Sequence, residues 1–214
     1  TTDGNLVITA QRAGASNNRC YYGACSWTSG KLTTYGRVAF TYGQLEARIK
    51  LPAGGGTWPA FWLLGTNIAS VGWPRSGEID VVEGVGNMPY KLWGTAHMAD
   101  NTGARILKGG TTMYANPLSD GYHTYAINWT PTSITWMLDG KAYFTVNKSD
   151  FGYPTWPFGP TAEGAPPKMY AILNIAMGGD MGGGISPSLQ STSMTVDWIR
   201  YYSMNGVGAV TKGL

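Results

Sequence analysis

Three carboxyl groups lie within six positions of an apolar segment, GEIDVVEG, residues 77–84. The residues between the acids are β-branched, which favours a strand. On a regular strand Glu78 and Asp80 share a face, because side chains two positions apart point the same way. Glu83 lies five positions after Glu78, so a regular strand would turn it to the opposite face.

A β-bulge near Val81 and Val82 would return Glu83 to the face of the other two acids, because a bulge inserts one extra residue into a strand. Three carboxyl groups on one face raise the pKa of at least one of them. The cluster would then provide an acid, a base and a modulator in one place. The alternative is that one Glu is exposed at a strand end and the three acids bind calcium.

Tryptophans surround the acidic strand in the sequence. Trp58 and Trp62 alternate in GTWPAFWLLG, and Trp73 lies five residues before Glu78. An indole offers a flat apolar face to the C–H surface of a sugar ring. A single Trp is more often a core residue, but this cluster beside an acidic strand favours a carbohydrate-binding cleft.

The rest of the chain reads as short alternating segments separated by Gly, Pro, Asn and Asp. In GQLEARIKL, Leu45, Ala47 and Ile49 fall on one face, and Asp139-Gly140 is typical of a hairpin turn. There is no amphipathic helix and no repeat. The pattern predicts an all-β fold, an antiparallel β-sandwich forming one domain over residues 1–214.

Composition excludes several classes of function. The net charge is only +3 and the Lys and Arg residues form no cluster in the sequence, so nucleic acid is not expected as a partner. No apolar run approaches the roughly 18 residues that span a bilayer, so no membrane partner is expected either. Cys20 and Cys25, in CYYGAC, form either two free thiols or a small disulfide loop, which would indicate an oxidising, extracellular setting.

Several segments together resemble the bacterial laminarinase-like members of glycoside hydrolase family 16, over about Asp3 to Tyr202. They are GEIDVVE, YGQLEARIKLP, GTWPAFWLLG, WGTAH, DGKAYF, LNIAMGG and VDWIRYY. Lichenase-type relatives carry E-x-D-x-E, so the extra valine here indicates the laminarinase branch. The resemblance implies a jelly-roll sandwich of the concanavalin A-like type with a concave substrate cleft.

The resemblance also implies catalytic roles for the three acids. Glu78 would be the nucleophile, Glu83 the general acid/base, and Asp80 would hold the geometry of the nucleophile and tune its proton affinity. A retaining glycosidase needs its two working carboxyl groups about 5–5.5 Å apart. No cofactor would be needed for catalysis.

Further residues are carried over from the same resemblance. Six would bind substrate: Trp58, Trp62, Trp73, His97, Asn174 and Arg48. For His97 the alternative is a core histidine. Asp197 would help to bind a structural calcium ion on the convex side, the alternative being an exposed strand residue. Relatives carry a further strand before DGNLVITA, so the chain is expected to lack the usual N-terminal strand.

The leading hypothesis is a secreted, monomeric, retaining endo-glucanase that hydrolyses β-1,3 bonds in laminarin-like glucans, with mixed-linkage β-1,3-1,4 glucans as a further substrate. Its partner would be the β-glucan itself. The alternatives are a non-catalytic β-glucan-binding protein, a transglycosylase and a galactan hydrolase of the same fold.

Overall fold

The computed structural model describes residues 3–13, 19–20, 22–151, 156–162 and 164–213. Two four-residue helices, α1 (Ile68–Val71) and α2 (Gly179–Gly182), and a 3₁₀ turn (Lys148–Asp150) accompany the strands. No helix in the described part of the chain is long and apolar enough to cross a membrane. The strands are β1 (Leu6–Arg12), β2 (Arg19–Cys20), β3 (Gly23–Ala24), β4 (Trp27–Thr28), β5 (Lys31–Thr33), β6 (Val38–Thr41), β7 (Gly43–Lys50), β8 (Thr57–Gly65), β9 (Glu78–Gly84), β10 (Lys91–Ala99), β11 (Arg105–Met113), β12 (His123–Trp129), β13 (Ser133–Leu138), β14 (Lys141–Asn147), β15 (Met169–Met177), β16 (Ser191–Tyr202) and β17 (Ala209–Lys212).

The strands form two large antiparallel sheets. The front sheet has the order β11-β10-β9-β8-β15-β6-β17, with β5 paired to β15. The back sheet has the order β14-β13-β12-β7-β16-β1-β4. Acidic strand β9 lies inside the front sheet, between β8 and β10. The predicted antiparallel β-sandwich of the jelly-roll type is confirmed.

The core lies between the two sheets and follows the alternation expected from the sequence. On β7, Leu45, Ala47 and Ile49 are buried, whereas the residues between them are half-exposed. Large aromatic residues of the back sheet, including Trp129 and Trp136, are almost fully buried in this core. Burying such large apolar surfaces is the main favourable contribution to folding.

Strand β9 contains the predicted bulge. On β8, Phe61 pairs with Val82, and the next residue, Trp62, pairs with Asp80, so Val81 is the extra residue. The pairing of β9 with β10 shows the same irregularity. The front sheet therefore shifts the side-chain alternation once, between the second and third acids, as predicted from their spacing.

The two cysteines form a disulfide bond. Cys20 and Cys25 join the short hairpin of β2 and β3 to the segment that follows it. This settles the choice between free thiols and a disulfide loop that the sequence left open.

Candidate active site

The three acids lie on the face of the front sheet directed away from the core. Glu83 pairs with Trp93 across the β9–β10 ladder, and Glu78 pairs with His97. The β10 residues that alternate with these partners, such as Leu92 and Ala96, are buried in the core. Because paired residues share a face, the bulge brings all three acids to the outer face of the front sheet.

Two tryptophans fix the carboxyl groups at the two ends of the cluster. Trp58 donates its indole N–H to Oε1 of Glu83 at 3.0 Å. Trp73 donates its indole N–H to Oε2 of Glu78 at 3.1 Å, while 46% of its surface stays exposed. Each of the two proposed catalytic carboxyl groups is therefore oriented by a hydrogen bond from an indole, and the exposed ring of Trp73 remains open to a ligand.

His97 contacts two of the acids. Its Nε2 lies 3.1 Å from Oδ2 of Asp80 and 3.7 Å from Oε1 of Glu78. Burial lowers the pKa of His97, although the neighbouring carboxylates oppose that shift. The structure therefore places this histidine in the acidic cluster, with burial favouring its neutral form, and not among apolar core residues.

Burial raises the pKa of all three acids. Burial first, and then the charge of Asp80, raise the pKa of Glu78 to about 7. Burial and the charge of Glu83 raise the pKa of Asp80 well above its ordinary value. Burial also raises the pKa of Glu83, against the hydrogen bond from Trp58.

The consequence is a cluster that holds protons near neutral pH. Each ionisation makes the next one harder, because the charges lie close together and little water screens them. Asp80 is only 4% exposed and is the most deeply buried of the three acids. The raised pKa values thus favour a protonated carboxyl group beside a charged carboxylate.

Trp62 and Asn174 form a second part of the same face. The indole N–H of Trp62 donates to Oδ1 of Asn174 at 2.8 Å. Lys31 places its Nζ 5.1 Å from the centre of the Trp62 ring, within the range of a cation–π contact. Trp62 also pairs with Asp80 across the β8–β9 ladder, so this platform adjoins the acids.

The prediction that Arg48 reaches substrate is wrong. Arg48 lies on β7 of the back sheet, and its neighbours Ala47 and Ile49 point into the core. Its guanidinium therefore points away from the sandwich, where it forms an ion pair with Asp197 and lies 4.5 Å from the ring centre of Tyr122. The whole sandwich separates Arg48 from the acidic cluster.

The predicted calcium site at Asp197 does not fit the residues present. Its carboxylate is paired with the Arg48 guanidinium, so a calcium ion there would meet a like charge. Among the described residues, the group that could hold a metal ion is Glu78, Asp80 and His97, whose ligand atoms lie within 4.8 Å of one another. That set does not suit calcium either, because calcium prefers oxygen ligands and one of the three ligand atoms is an imidazole nitrogen. Both carboxyl groups also retain protons more strongly than usual.

Sequence reasoning missed several residues of this face. Trp93, which pairs with Glu83, lies 4.9 Å from Nζ of Lys91, measured to its ring centre. Its alternation with His97 in KLWGTAHM was the signal that could have identified it. Lys31 lies on the three-residue strand β5, and nothing in its local sequence indicates a position beside Trp62.

Comparison with known proteins supports the same interpretation. Residues 1–200 match the family described as glycosyl hydrolases family 16. A beta-glucanase of Rhodothermus marinus is 36% identical over 191 residues, which cover 85% of this chain and 64% of that protein. The glucan endo-1,3-beta-glucosidase A1 of Niallia circulans is 32% identical over 204 residues, 94% of this chain and 30% of that protein.

A solved structure extends the likeness to three dimensions. The laminarinase catalytic domain of Thermotoga maritima MSB8 superposes with a TM-score of 0.80 at 33% identity, covering 96% of this chain and 82% of that chain. The matched part of the chain spans 64% of the first of the two relatives and 30% of the second, less than two thirds of either. The family match nevertheless covers the acidic strand and most strands of both sheets, and on this basis the chain belongs to glycosyl hydrolases family 16.

Proposed function

We propose that the chain carries the active site of a retaining endo-glucanase that hydrolyses β-1,3 bonds in laminarin-like glucans, with mixed-linkage β-1,3-1,4 glucans as a second substrate. The observation that carries this proposal is the bulge at Val81, which places Glu78, Asp80 and Glu83 on one face of the sheet. The names of the two glucan-cleaving relatives support the choice of substrate.

The first half of the reaction forms a covalent glycosyl-enzyme. A carboxylate oxygen of Glu78 attacks the anomeric carbon, and the bond from that carbon to the leaving oxygen breaks. Glu83 gives its proton to the leaving oxygen, so the departing sugar leaves as a neutral alcohol. The indole N–H groups of Trp73 and Trp58 hold these two carboxyl groups in place.

The second half returns the enzyme to its first state. Glu83, now a carboxylate, takes a proton from water while the water oxygen attacks the anomeric carbon, and the bond to Glu78 breaks. Two displacements at the same carbon retain its configuration. Every proton in this cycle is held by a side chain of the protein, so the reaction needs no cofactor.

Asp80 and His97 tune the proton affinity of the proposed nucleophile. The charge of Asp80 raises the pKa of the neighbouring Glu78, whereas His97 and the indole N–H of Trp73 lower it, so these neighbours together set the proton affinity of the nucleophile. His97 contacts both acids, with its Nε2 3.1 Å from Oδ2 of Asp80 and 3.7 Å from Oε1 of Glu78, and burial lowers its pKa.

The proposed substrate site uses the aromatic rings around the acids. Trp62 and Trp73 offer ring faces next to Asp80 and Glu78, and Asn174 orients Trp62 through its Oδ1. Sugar rings stack on such faces through their C–H surfaces. These residues would hold the glucan across β8 and β9.

The proposed setting is outside the cell, with the protein acting as a monomer on the polysaccharide. The disulfide between Cys20 and Cys25 supports an oxidising environment. A polysaccharide is too large to enter a cell intact, so an enzyme that cleaves it has to act outside the cell.

Digestion of laminarin, lichenan, agarose and carrageenan, with sizing of the products, tests this function. We expect laminarin to yield a ladder of short oligosaccharides, with slower cleavage of lichenan. Binding of laminarin without any product would favour the glucan-binding alternative. Incubation with laminarin oligosaccharides that gives products longer than the starting material would favour a transglycosylase. Cleavage of agarose or carrageenan alone would favour a galactan hydrolase.

Azide rescue separates the two catalytic roles. Glu78→Gly should lose activity by orders of magnitude and recover part of it in azide with an inverted glycosyl azide product, because the anion replaces the nucleophile. Glu83→Gly in azide should give a product of retained configuration. Identical responses of the two variants would contradict the assignment of roles.

A further inference from the structure

A side chain of the back sheet contacts the catalytic strand at its bulge. Trp136 lies on β13 and is fully buried. Its indole N–H donates to the backbone carbonyl of Asp80 at 2.7 Å. Asp80 immediately precedes Val81, the extra residue of the bulge. The hydrogen bond therefore crosses the core from one sheet to the other and ends at the irregular point of β9.

Such a bond is unusual for an interior strand. In a regular sheet, carbonyl groups lie in the plane of the sheet and bond to neighbouring strands. A bulge disrupts the ladder locally and leaves a backbone group without its ladder partner. A carbonyl left unpaired in the core is unfavourable, so Trp136 supplies the partner that the bulge removes.

The neighbouring strand leaves room for this indole. A Cβ atom on Gly94 of β10 would lie 2.2 Å from Cδ1 of Trp136 and 2.6 Å from Oη of Tyr143. Real Cβ atoms do not approach other atoms so closely, so any other residue at position 94 would displace the indole. Glycine at position 94 thus leaves the space that the Trp136 indole needs to reach the Asp80 carbonyl.

The position of the extra residue decides which acids face the substrate. With the bulge after Asp80, all three acids lie on the outer face. Here the extra residue Val81 and the next residue, Val82, both point into the core. A bulge two residues earlier, with Ile79 as the extra residue, would keep Glu83 on the outer face but would turn Asp80 toward the core. Fixing the Asp80 carbonyl therefore fixes the arrangement of the whole cluster.

We propose that Trp136 is a positioning residue of the reaction: its indole N–H holds the β9 bulge in register and so presents Asp80 and Glu83 together beside Glu78. The inference rests on the proposed glucanase function. Trp136 itself lies beneath the sheet and does not contact the substrate face.

A matched pair of variants tests this role. Trp136→Phe removes the N–H donor and keeps a buried aromatic ring. Trp129→Phe is the control, because Trp129 is also buried in the back sheet and donates its indole N–H to a backbone carbonyl, that of Phe158, at 2.8 Å. Each variant loses one buried hydrogen bond from an indole to a backbone carbonyl, but only the bond lost in Trp136→Phe ends at the catalytic strand.

The expected result is a loss of turnover in one variant alone. Trp136→Phe should lower kcat on laminarin by about 10- to 100-fold with little change in KM, as expected for a small misplacement of catalytic groups. Both limbs of its pH–rate profile should move to lower pH, because loosening the cluster admits water to the carboxyl groups. Trp129→Phe should keep the kcat and the pH profile of the wild-type protein.

Equal losses of kcat in the two variants, or an unchanged kcat and pH profile in Trp136→Phe, would overturn the proposal. If Trp136→Phe does not fold, site-specific replacement of Trp136 by benzothienylalanine decides the matter, because that residue keeps the shape of the ring and lacks only the donor. Wild-type turnover in that protein also overturns the proposal. A wild-type protein that cleaves no glucan would instead refute the proposed function, and the positioning role would fail with it.

Discussion

Replacing Glu78 with Gln should make the folded protein more stable at neutral pH while it removes the proposed nucleophile. Burial and the neighbouring Asp80 raise the pKa of Glu78 from 4.5 to about 7 in the folded protein. A carboxyl group with a raised folded-state pKa contributes stability at low pH, where it is protonated in both states. That contribution is lost as the pH rises through the folded-state pKa, because the unfolded chain then ionises more easily.

The magnitude follows from the size of the pKa rise. Each pKa unit corresponds to about 1.4 kcal/mol, so a rise from 4.5 to about 7 corresponds to roughly 3 kcal/mol above neutral pH. The side chain of Glu78 is 17% exposed, and this residual hydration makes that figure an upper bound. We expect Glu78→Gln to gain about 1–3 kcal/mol, or about 2–12 °C in Tm for a chain of this size.

Thermal unfolding of wild type and Glu78→Gln between about pH 4 and pH 8 measures the effect. The difference in Tm should be small near pH 4, where both side chains are neutral, and should grow as the pH rises toward 8. Asp120→Asn, which removes a carboxylate at an exposed position, serves as the control and should show no such growth. A Glu78→Gln protein that is less stable than wild type at pH 8, or a difference independent of pH, would refute the reasoning.

Three further predictions concern the bulge, the aromatic platform and the back sheet. Deleting Val81 should give a regular ladder with all three acids on one face, so the ratio of lichenan to laminarin cleavage should rise while some activity remains; a folded but inactive protein would contradict this. Trp62→Ala should weaken binding of laminarin oligosaccharides by about 1–3 kcal/mol in calorimetry, whereas failure to fold would make Trp62 a core residue. Arg48→Ala should leave kcat/KM unchanged, because its partner Asp197 lies on the back sheet, and should cost at most about 1 kcal/mol in denaturant unfolding; a fall in kcat/KM would return Arg48 to the substrate site.

Local pattern was sufficient to predict the sandwich and the bulge. Alternation in GQLEARIKL identified the buried face of β7, with Leu45, Ala47 and Ile49 in the core. The odd spacing between Glu78 and Glu83 could be reconciled with a shared face only by an extra residue, and the structure has that residue at Val81. These features were predictable because side-chain direction along a strand depends on the backbone period alone.

Side-chain alternation does not say to which sheet a strand belongs, and this is why Arg48 was misassigned. Its strand, β7, alternates as regularly as β8, but it pairs with β12 and β16 in the back sheet. The partner of Asp197 could not be predicted from local sequence either, because Arg48 lies 149 positions away in the chain. Strand order depends on long-range pairing, which a local window of sequence does not contain.

The sequence by itself determined which residues could do the chemistry and on which face of their strand they would lie. Only the tertiary structure decided the pKa values of these residues and the hydrogen bonds that hold them in position. The pKa values of Glu78 and Asp80 are raised by burial that many distant residues create together. The carbonyl beneath Asp80 is held by Trp136 from the opposite sheet, 56 positions further along the chain. Desolvation and cross-sheet hydrogen bonds arise only when the two sheets pack, so no segment of sequence carries them alone.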